Sequence, residues 1–525
     1  MAPLPHLSLW HRRSLFTKRL TFVVLYMSLA AFNFGFDTSL FSSVQGMPSF
    51  AKEFGEYNEA TNKYALPSYL SSVMNSTPFV GKLIGTLCTG PLMKRFGRKP
   101  AVFLVAVVSI IGVILQITSH SAAQYTVGRI LCYLGTGVTI SVVPTYQSET
   151  TPAEIRGATV ASLQLWISVG QIIAAVTTNA TKGRLGRDAW LIPTGVQFIV
   201  PAIMLAGYHF IPESPRYLIW QNRREEAFKA LRYVRPRHIS DEDLNYELDL
   251  IVLAEETQDM DAKWKDLFKG PNLRRTLISI GAMFGQQITG QSFGSQYQVV
   301  FLQQQGIENP SPFIMTIVST TLNLVGCLFS SLVIDTLGRR HVLAFGGSFM
   351  AIFLYILGAL GTVLKHRPLV ESEKGLMLSG LPLFGFFYAL SWGPLAYVIM
   401  GEAAPHQHRE KTVLLSTSIS VLTTFVVSFT LPYLLNAPYA NLGAQVGYIY
   451  GSTCVMMIVW AFFFVPEMKN RSLEELDEMF ANELPTRKFR NYLCTGIGAE
   501  IAKAEEGELS GDRKDIIEQV EVVAK

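Results

Sequence analysis

The sequence predicts an all-α membrane protein with twelve transmembrane helices in two six-helix bundles, joined by a cytosolic helical linker. The first observation behind this fold class is the composition. Hydrophobic residues make up 49% of the 525 positions and charged residues only 16%, whereas roughly a quarter of a soluble chain is charged. This composition argues against a soluble enzyme, a disordered protein and a secreted disulfide scaffold. The net charge of +4 is too small to predict a nucleic-acid partner.

The second observation is the spacing of the charges. A charge at the bilayer centre costs several kcal/mol, so long stretches without Asp, Glu, Lys or Arg indicate segments at membrane depth. The uncharged intervals run from Arg19 to Asp37, Lys63 to Lys82, Lys99 to Arg129, Arg156 to Lys182, Asp188 to Glu213, Arg275 to Glu308, Glu308 to Asp335, Arg340 to Lys365, Lys374 to Glu402 and Lys411 to Glu467. We therefore expect helices that start at about residues 20, 66, 100, 124, 157, 190, 276, 311, 341, 375, 411 and 443.

The third observation is an internal repeat. Three patterns of the amino-terminal half recur in order in the carboxyl-terminal half: E-x-x-P-x-x-x-R at 149–156 and 402–409, G-R-K/R at 97–99 and 338–340, and I/V-P-E at 211–213 and 465–467. Such ordered matches are typical of a duplicated transporter fold. The chain is therefore predicted to consist of two related six-helix halves.

The loop charges predict the orientation. Lys and Arg concentrate at the amino terminus, in the loop after the second helix and in the central segment, and such loops favour the cytosol. Both termini should then be cytosolic, in a multi-pass protein of the plasma membrane. The expected organisation is a cytosolic amino terminus (1–19), a first bundle (20–212), a helical linker (213–275), a second bundle (276–466) and a cytosolic tail (467–525).

Two local signals complete the topology. Ser214-Pro215 is typical of a helix start, with Ser214 as N-cap and proline in the first turn. Asn179, in an Asn-x-Thr triplet after the fifth helix, is a candidate glycosylation site on the outside.

The repeated motifs mark the cytosolic ends of helices. Their cations can face carboxylates in pairs that hold the inner side shut in one state and separate in the other. Alternatively, the cations only enforce topology. The candidate gate residues are Arg98, Glu149, Arg156, Glu213, Arg216, Arg339, Glu402, Arg409 and Glu467.

The motifs together resemble the sugar porters of the major facilitator superfamily, particularly fungal members. The matching residues are Phe34-Gly35-Phe36-Asp37, the Gly-Arg turns, Gly128-Arg129 with Gly135 and Gly137, Pro144-x-Tyr146-x-x-Glu149, Pro212-Glu213-Ser214-Pro215-Arg216, Gln286-Gln287-x-x-Gly290 and Ser391-Trp392-Gly393-Pro394. The resemblance covers about residues 20 to 480. It implies two bundles that rock around a central site and expose it alternately to each side of the membrane.

Polar side chains inside the apolar helices are candidates for that site. A sugar carries hydroxyls that both donate and accept hydrogen bonds, so amide side chains suit it, together with an aromatic ring that packs against the apolar face of the sugar. By resemblance, the substrate-binding set is Gln164, Gln171, Gln286, Gln287, Ser292 and Asn323, with Trp392 as the aromatic ring. The alternative is that these amides only join helices.

The chain departs from the family pattern near this site. Gln291-Ser292-Phe293 replaces a stretch that usually contains Asn, Thr424 stands at a common Asn position, and Tyr397 replaces a common Trp. A disaccharide or glycoside therefore fits as well as a hexose. Export of a non-sugar polyol or secondary metabolite, and a transporter-like sugar sensor, also stay open.

Charges inside the predicted helices suggest how transport is driven. Asp37 lies in the first helix and Arg129 in the fourth, and buried charges at membrane depth are expensive unless paired or functional. By resemblance, Asp37 carries a proton and Arg129 tunes it; the alternative is a static structural pair. Lys82 either joins this network or snorkels, and Lys94 stands where the family has an acidic residue.

An enzyme is not expected, because the sequence has no nucleophile–base signature and no metal-ligand spacing. No cofactor or metal is predicted. The expected partners are a sugar, H+ and the lipid bilayer, with the chain acting as a monomer.

Overall fold

The computed structural model describes residues 17–58, 63–236, 239–256, 263–307, 309–405, 408–469, 471, 473–489 and 492. Nearly all regular structure in these ranges is helical. The exception is one antiparallel pair of short strands, Glu56–Asn58 and Lys63–Ala65. This pair follows a short helix, Pro48–Phe54, between the first two membrane helices.

The first half contains six helical stretches, which we number as spans 1 to 6. They are Lys18–Val44 (span 1), Ser68–Ser76 with Pro78–Phe96 (span 2), Arg98–Ile117 (span 3), Ala122–Thr150 (span 4), Ala153–Thr181 (span 5) and Asp188–Val196 with Ile199–Gly207 (span 6), followed by a 3-10 turn at Tyr208–Phe210. Span 2 is interrupted just before Pro78, which cannot donate a backbone hydrogen bond.

The second half repeats the arrangement as spans 7 to 12. They are Gly270–Ile288 with Gln291–Gln296 and Gln298–Gln304 (span 7), Pro312–Leu337 (span 8), Arg339–His366 (span 9), Glu371–Leu390 with Trp392–Ala403 (span 10), Arg409–Leu435 (span 11) and, after a 3-10 turn at Gly443–Gln445, Val446–Phe464 (span 12). In the described part of the chain, nine helical stretches are long and apolar enough to cross a membrane. Spans 2, 5 and 7 bring the number to twelve.

Between the halves lies the linker, whose described helices are Pro215–Trp220, Arg224–Val234, Asp241–Glu256 and the 3-10 helix Trp264–Phe268. Leu218, Leu231 and Leu248 belong to one apolar cluster that holds the linker helices together. A tail helix, Leu473–Ala481, follows span 12. We call the end of the bundle that carries these segments the linker side and the opposite end the far side.

The same helix pairs pack in both halves. Span 1 packs on span 5 and span 7 on span 11; span 2 packs on span 4 and span 8 on span 10; span 3 packs on span 6 and span 9 on span 12. Glycines allow the close approaches in the first half. A Cβ on Gly170 would collide with the Phe32 carbonyl, and one on Gly85 with the Leu134 carbonyl. The duplication read from the motifs is therefore present in the packing.

The two halves are joined on the far side. Asn436 donates from its amide to the Ser68 hydroxyl (3.1 Å), and the Lys182 ammonium donates to the Ser311 hydroxyl (2.7 Å). Gln303 donates to the Gly46 carbonyl (2.9 Å). All hydrogen bonds between halves that the structure describes lie toward this end. The far side thus carries the described hydrogen bonds between the halves, whereas the described ion pairs of the linker-side motifs lie within each half.

Close packing of spans 1 and 5 gives a stability prediction. Gly170→Val should lower the melting temperature of the detergent-solubilised protein by several degrees, because the new side chain would push span 5 off span 1. Gly90→Val is the matched control, since a Cβ at Gly90 meets no atom within 4 Å. Equal melting temperatures for the two variants would contradict the packing described here.

Candidate functional site

The second half contributes a hydrogen-bonded amide pair near the middle of the membrane. Gln286 is buried and donates to the Gly393 carbonyl of span 10 (2.6 Å). Gln287 donates to the Gln286 side-chain oxygen (2.9 Å) and to the Ser420 hydroxyl of span 11 (3.2 Å). Gln287 is only partly buried, and no described bond uses its side-chain oxygen. The pair thus ties three spans together and leaves one acceptor available.

The first half contributes Gln164 and Gln171 on one face of span 5. Ile173 and Val176 are exposed on the outer face of this helix. Gln164 lies nine residues before Ile173, about 180° around the helix, and Gln171 is close to the same angle. The exposure of Gln164 is therefore toward the interior between the halves. The predicted pairing of these two glutamines on one face agrees with the helix that the structure shows.

Asn323 of span 8 points away from the lipid, and its side-chain oxygen lies beside Gly385 of span 10 in the same half. Its position is about 160° from the outer face marked by Val318 and Leu332. The Asn323 side-chain oxygen is buried and has no hydrogen-bond partner in the described structure. Span 8 packs along span 5, so Asn323 and the two span 5 glutamines lie on neighbouring helices.

Two predicted substrate residues are enclosed within the second half. Ser292 is buried and accepts a hydrogen bond from the Ser428 hydroxyl (3.2 Å). Trp392 is 1% exposed, and its indole N–H donates to the Leu343 carbonyl (3.2 Å). Its ring fills the space beside Gly285 and Gly347. In this conformation both residues join helices, and their contact with substrate stays a prediction.

Asp37 and Arg129 are both buried in the first half, and no ion pair joins them among the described residues. The Arg129 guanidinium donates to the Met74 carbonyl and to the Tyr133 hydroxyl, and lies 3.8 Å from the centre of the Phe41 ring. Among the described residues, the Oδ2 atom of Asp37 has no hydrogen-bond partner. The carboxylate is thus positioned beside a cation that is held by other groups.

Gln197 of span 6 is a residue that the sequence analysis missed. Its side-chain amide lies next to Asp37, and neither of its polar atoms has a partner in the described structure by strict hydrogen-bond geometry. The sequence could have identified Gln197, because it is an amide in an apolar helix, as most of the predicted substrate residues are. Ser420 was missed for a different reason, since a serine is too common in membrane helices to stand out.

Lys82 is separate from the Asp37 network. Its ammonium lies 4.9 Å from the centre of the Phe34 ring and 6.0 Å from that of Phe79. No ion pair to Lys82 is present in the described part of the chain. Lys94, the other departure, is exposed on the linker side.

Three of the predicted gate residues, Arg98, Glu149 and Glu213, form one cluster on the linker side of the first half. Arg98 donates to the Glu149 carboxylate (2.7 Å), and the Ser214 hydroxyl donates to the same carboxylate. Glu213 accepts the backbone N–H groups of Arg98 (3.1 Å) and Lys99 (3.1 Å). It therefore caps the start of span 3. Ser214 precedes its helix as predicted, but its hydroxyl binds Glu149 instead of the helix N-terminus.

The turn before span 3 explains why its motif needs glycine. Gly97 adopts φ +97°, a conformation that residues with a side chain rarely adopt. A Cβ there would also meet the Glu213 carboxylate. Burial raises the pKa of Glu213, although the backbone N–H groups that it accepts oppose this shift.

The second half repeats the cluster. Arg339 donates to the Glu402 carboxylate (2.7 Å), and Glu467 accepts the backbone N–H groups of Arg339 (2.9 Å) and Arg340 (3.2 Å). Gly338 has φ +88° and lies against Glu467. Each capping carboxylate comes from the I/V-P-E motif and each guanidinium from the G-R motif, so the repeated motifs meet in space within their own half.

Arg216 and Arg409 take no part in the described contacts of these clusters. Arg216 is partly exposed and Arg409 exposed, and neither forms an ion pair in the part of the chain that the structure describes. The side chain of Arg156 falls outside that part. Asn179 lies at the far-side end of span 5, where its side-chain oxygen accepts a hydrogen bond from Lys182 (2.8 Å).

Comparisons with known proteins agree with this architecture. A family model described as sugar (and other) transporter matches residues 23–480. The high-affinity glucose transporter ght2 of Schizosaccharomyces pombe is 30% identical over 514 residues, which cover 96% of this chain and 95% of the relative. The high-affinity gluconate transporter ght3 of the same yeast is 29% identical over 480 residues, or 90% and 85% of the two chains.

A solved structure shows the same fold. The inward-open xylose transporter XylE from E. coli superposes with a TM-score of 0.72 at 22% sequence identity, over 88% of this chain and 99% of that one. The predicted fold class, two six-helix bundles with a helical linker, is confirmed.

The linker-side cluster gives a second stability prediction. Arg98 and Glu149 are 18% and 9% exposed, so Arg98→Ala strands a nearly buried carboxylate and should cost about 3 kcal/mol of unfolding free energy. Arg184→Ala breaks a pair that is 55% and 49% exposed and should cost less than about 1 kcal/mol.

A double-mutant cycle with Arg98→Ala and Glu149→Ala measures the interaction free energy of the pair, from denaturant unfolding in detergent. The double variant should be less destabilised than the sum of the single ones. Strictly additive losses would show that the two residues do not interact.

Proposed function

The chain belongs to the sugar (and other) transporter family of the major facilitator superfamily, and we propose that it imports a sugar by alternating access in symport with protons. Its relatives are membrane transporters, so it is not an enzyme. The substrate class is sugars, with a hexose or a di- or oligosaccharide glycoside as the first candidates. The observation that carries this proposal is the set of amides from spans 5, 7 and 8 that face the interior near the middle of the membrane.

These amides suit a polyhydroxylated ligand. Each hydroxyl of a sugar donates and accepts, and an amide is the neutral side chain that can do both. Among the described residues, Gln287 keeps an unused acceptor and Asn323 has a buried oxygen without a partner. Gln164 and Gln171 provide the opposing wall from the first half. A sugar bound between the two walls would connect the two halves, whereas the hydrogen bonds of Gln286 and Gln287 connect helices of one half.

Orientation and access follow from the loops and the contacts. The linker side carries the basic segments, so we place it and both termini in the cytosol, with the chain in the plasma membrane. The far side, where the halves are joined, then faces outward, and the described conformation is open inward. Because the amides of both halves belong to one chain, a monomer is sufficient for transport.

Proton coupling is assigned to Asp37. The carboxylate lies beyond the middle of span 1, has one oxygen without a partner and is near Arg129 without being paired to it. On the outer side, Phe41 covers Arg129 and packs against Phe50 and Tyr125 with ring centres 6.0 and 5.9 Å apart. These rings separate the pair from the far side. A carboxylate that is enclosed here and unpaired can bind a proton in one state and release it in another.

The linker-side clusters are proposed to act as part of the gate. In the inward-open state each cluster fastens the ends of spans within its own half, as Arg98 does with Glu149 and Arg339 with Glu402. Each half can then move as one body. Closing the inner side would bring the two clusters together.

Uptake in cells that lack their own hexose carriers tests the function. Cells producing this chain should accumulate at least one radiolabelled mono- or disaccharide, faster at acidic external pH and sensitive to an uncoupler. Gln287→Ala should reduce uptake by about tenfold or more, as expected for a lost polar contact to a bound substrate. Gln304→Ala, an exposed amide at the end of span 7, should transport normally. A transcriptional response without uptake would instead indicate a sensor, and net efflux an exporter.

Asp37 gives a separate prediction about coupling. Asp37→Asn removes the proton-binding group but keeps the shape of the side chain, so uphill uptake should disappear while exchange of sugar across proteoliposomes persists. Sugar-driven proton entry, measured with a pH-sensitive dye, should also be lost. Unchanged uphill uptake by the variant would exclude Asp37 as the coupling group.

A further inference from the structure

Lys82 is a cation in the middle of the membrane that the proposed mechanism does not use. Span 2 runs from Ser68 to Phe96, and Lys82 is its central residue. A lysine at this depth is expensive unless it is paired or functional. In the described part of the chain Lys82 has no carboxylate partner within ion-pair distance.

Lys82 faces the interior of the protein. Val80, Ile84 and Leu87 are exposed on the outer face of span 2. Lys82 is two residues from both Val80 and Ile84, so it projects about 160–200° away from them. Its partial exposure is therefore not toward lipid but toward the space between the halves. Snorkelling to the membrane surface is not its role at this depth and on this face.

The neighbours of Lys82 connect it to the amide set. Phe79, one turn before it, packs with Val421 of span 11 in a cluster that joins the two halves. Val421 follows Ser420, whose hydroxyl accepts the hydrogen bond from Gln287 (3.2 Å). The Phe34 ring, 4.9 Å from the ammonium, stabilises the cation from span 1. Lys82 thus borders the same interior as the amides, at the same depth.

We propose that Lys82 binds a carboxylate of the transported molecule, so that the substrate is a sugar acid such as a uronate or an aldonate. The ammonium offers three donors, and no ion pair occupies them in the described part of the chain. A charge-assisted hydrogen bond formed away from bulk water is about twice as strong as a neutral one. The amides would then bind the hydroxyls of the same molecule. This inference rests on the proposed function, since it assigns the charge of a substrate for that site.

Matched pairs of acid and neutral sugars test the inference on purified protein. Glucuronate and glucose differ only in the carboxylate at one carbon, as do galacturonate and galactose; gluconate adds an aldonate. Binding is measured by the ligand-induced rise in melting temperature, and transport by counterflow in proteoliposomes. The wild-type chain should bind at least one acid about tenfold or more tightly than its neutral counterpart.

Variants assign that preference to Lys82. Lys82→Gln should lose the preference for the acid by about tenfold or more and keep the affinity for the neutral sugar, whereas Lys82→Arg should retain the preference. Lys94→Gln, which removes an exposed lysine of the linker side, is the control and should behave like the wild type. The wild-type comparison needs no variant, so poor folding of Lys82→Gln leaves the test intact.

The outcomes separate this inference from the proposed function. Transport of hexoses without any competition by the acids would overturn the role of Lys82 while the sugar transporter stands. Equal preference for the acid in Lys82→Gln and in the wild type would also overturn it. Neither binding nor transport of any sugar or sugar acid would overturn both.

Discussion

Moving an unpaired charge from water to the centre of a bilayer costs several kcal/mol, and the arrangement of this chain depends on that cost. Nearly all its charges lie at the ends of the twelve spans, in the linker or in the tail. There they form the clusters around Arg98 and Arg339, in which guanidinium groups, carboxylates and helix N-termini neutralise one another. Three charges remain at depth: Asp37, Lys82 and Arg129. None of them forms an ion pair in the described structure, which is why we assign each to transport.

Much of the fold could be predicted from the sequence, because charge-free length and a repeated motif are properties of the chain itself. The contacts that the motif residues form could not be predicted in the same way. The sequence suggests that cations of the motifs face carboxylates in pairs, without saying which cation meets which carboxylate, and the structure pairs Arg98 with Glu149 within one half. The choice of partner depends on how helices pack, and the carboxylate of Glu213 capping span 3 becomes visible only when both elements are placed.

An amide in an apolar helix is a strong signal, and Gln164 and Gln171 lie on the face of span 5 that points away from the lipid. That these residues bind substrate stays a prediction. Trp392 is instead enclosed beside Gly285 and Gly347. An aromatic residue packs as readily against glycine as against a sugar, so the sequence alone does not separate the two roles. Lys82 was noticed from the sequence, but only its angle on span 2 shows that it faces inward.

Distances between spin labels test most directly whether two rigid halves rock around a site between them. Labels at residues 64 and 439 report the far side, labels at residues 94 and 409 report the linker side, and labels at residues 94 and 224 lie within the first half and its linker. Saturating substrate at acidic pH should lengthen the far-side distance and shorten the linker-side distance, with the third distance unchanged. Far-side and linker-side distances that change in the same direction, or a third distance that changes as much as they do, would contradict the account.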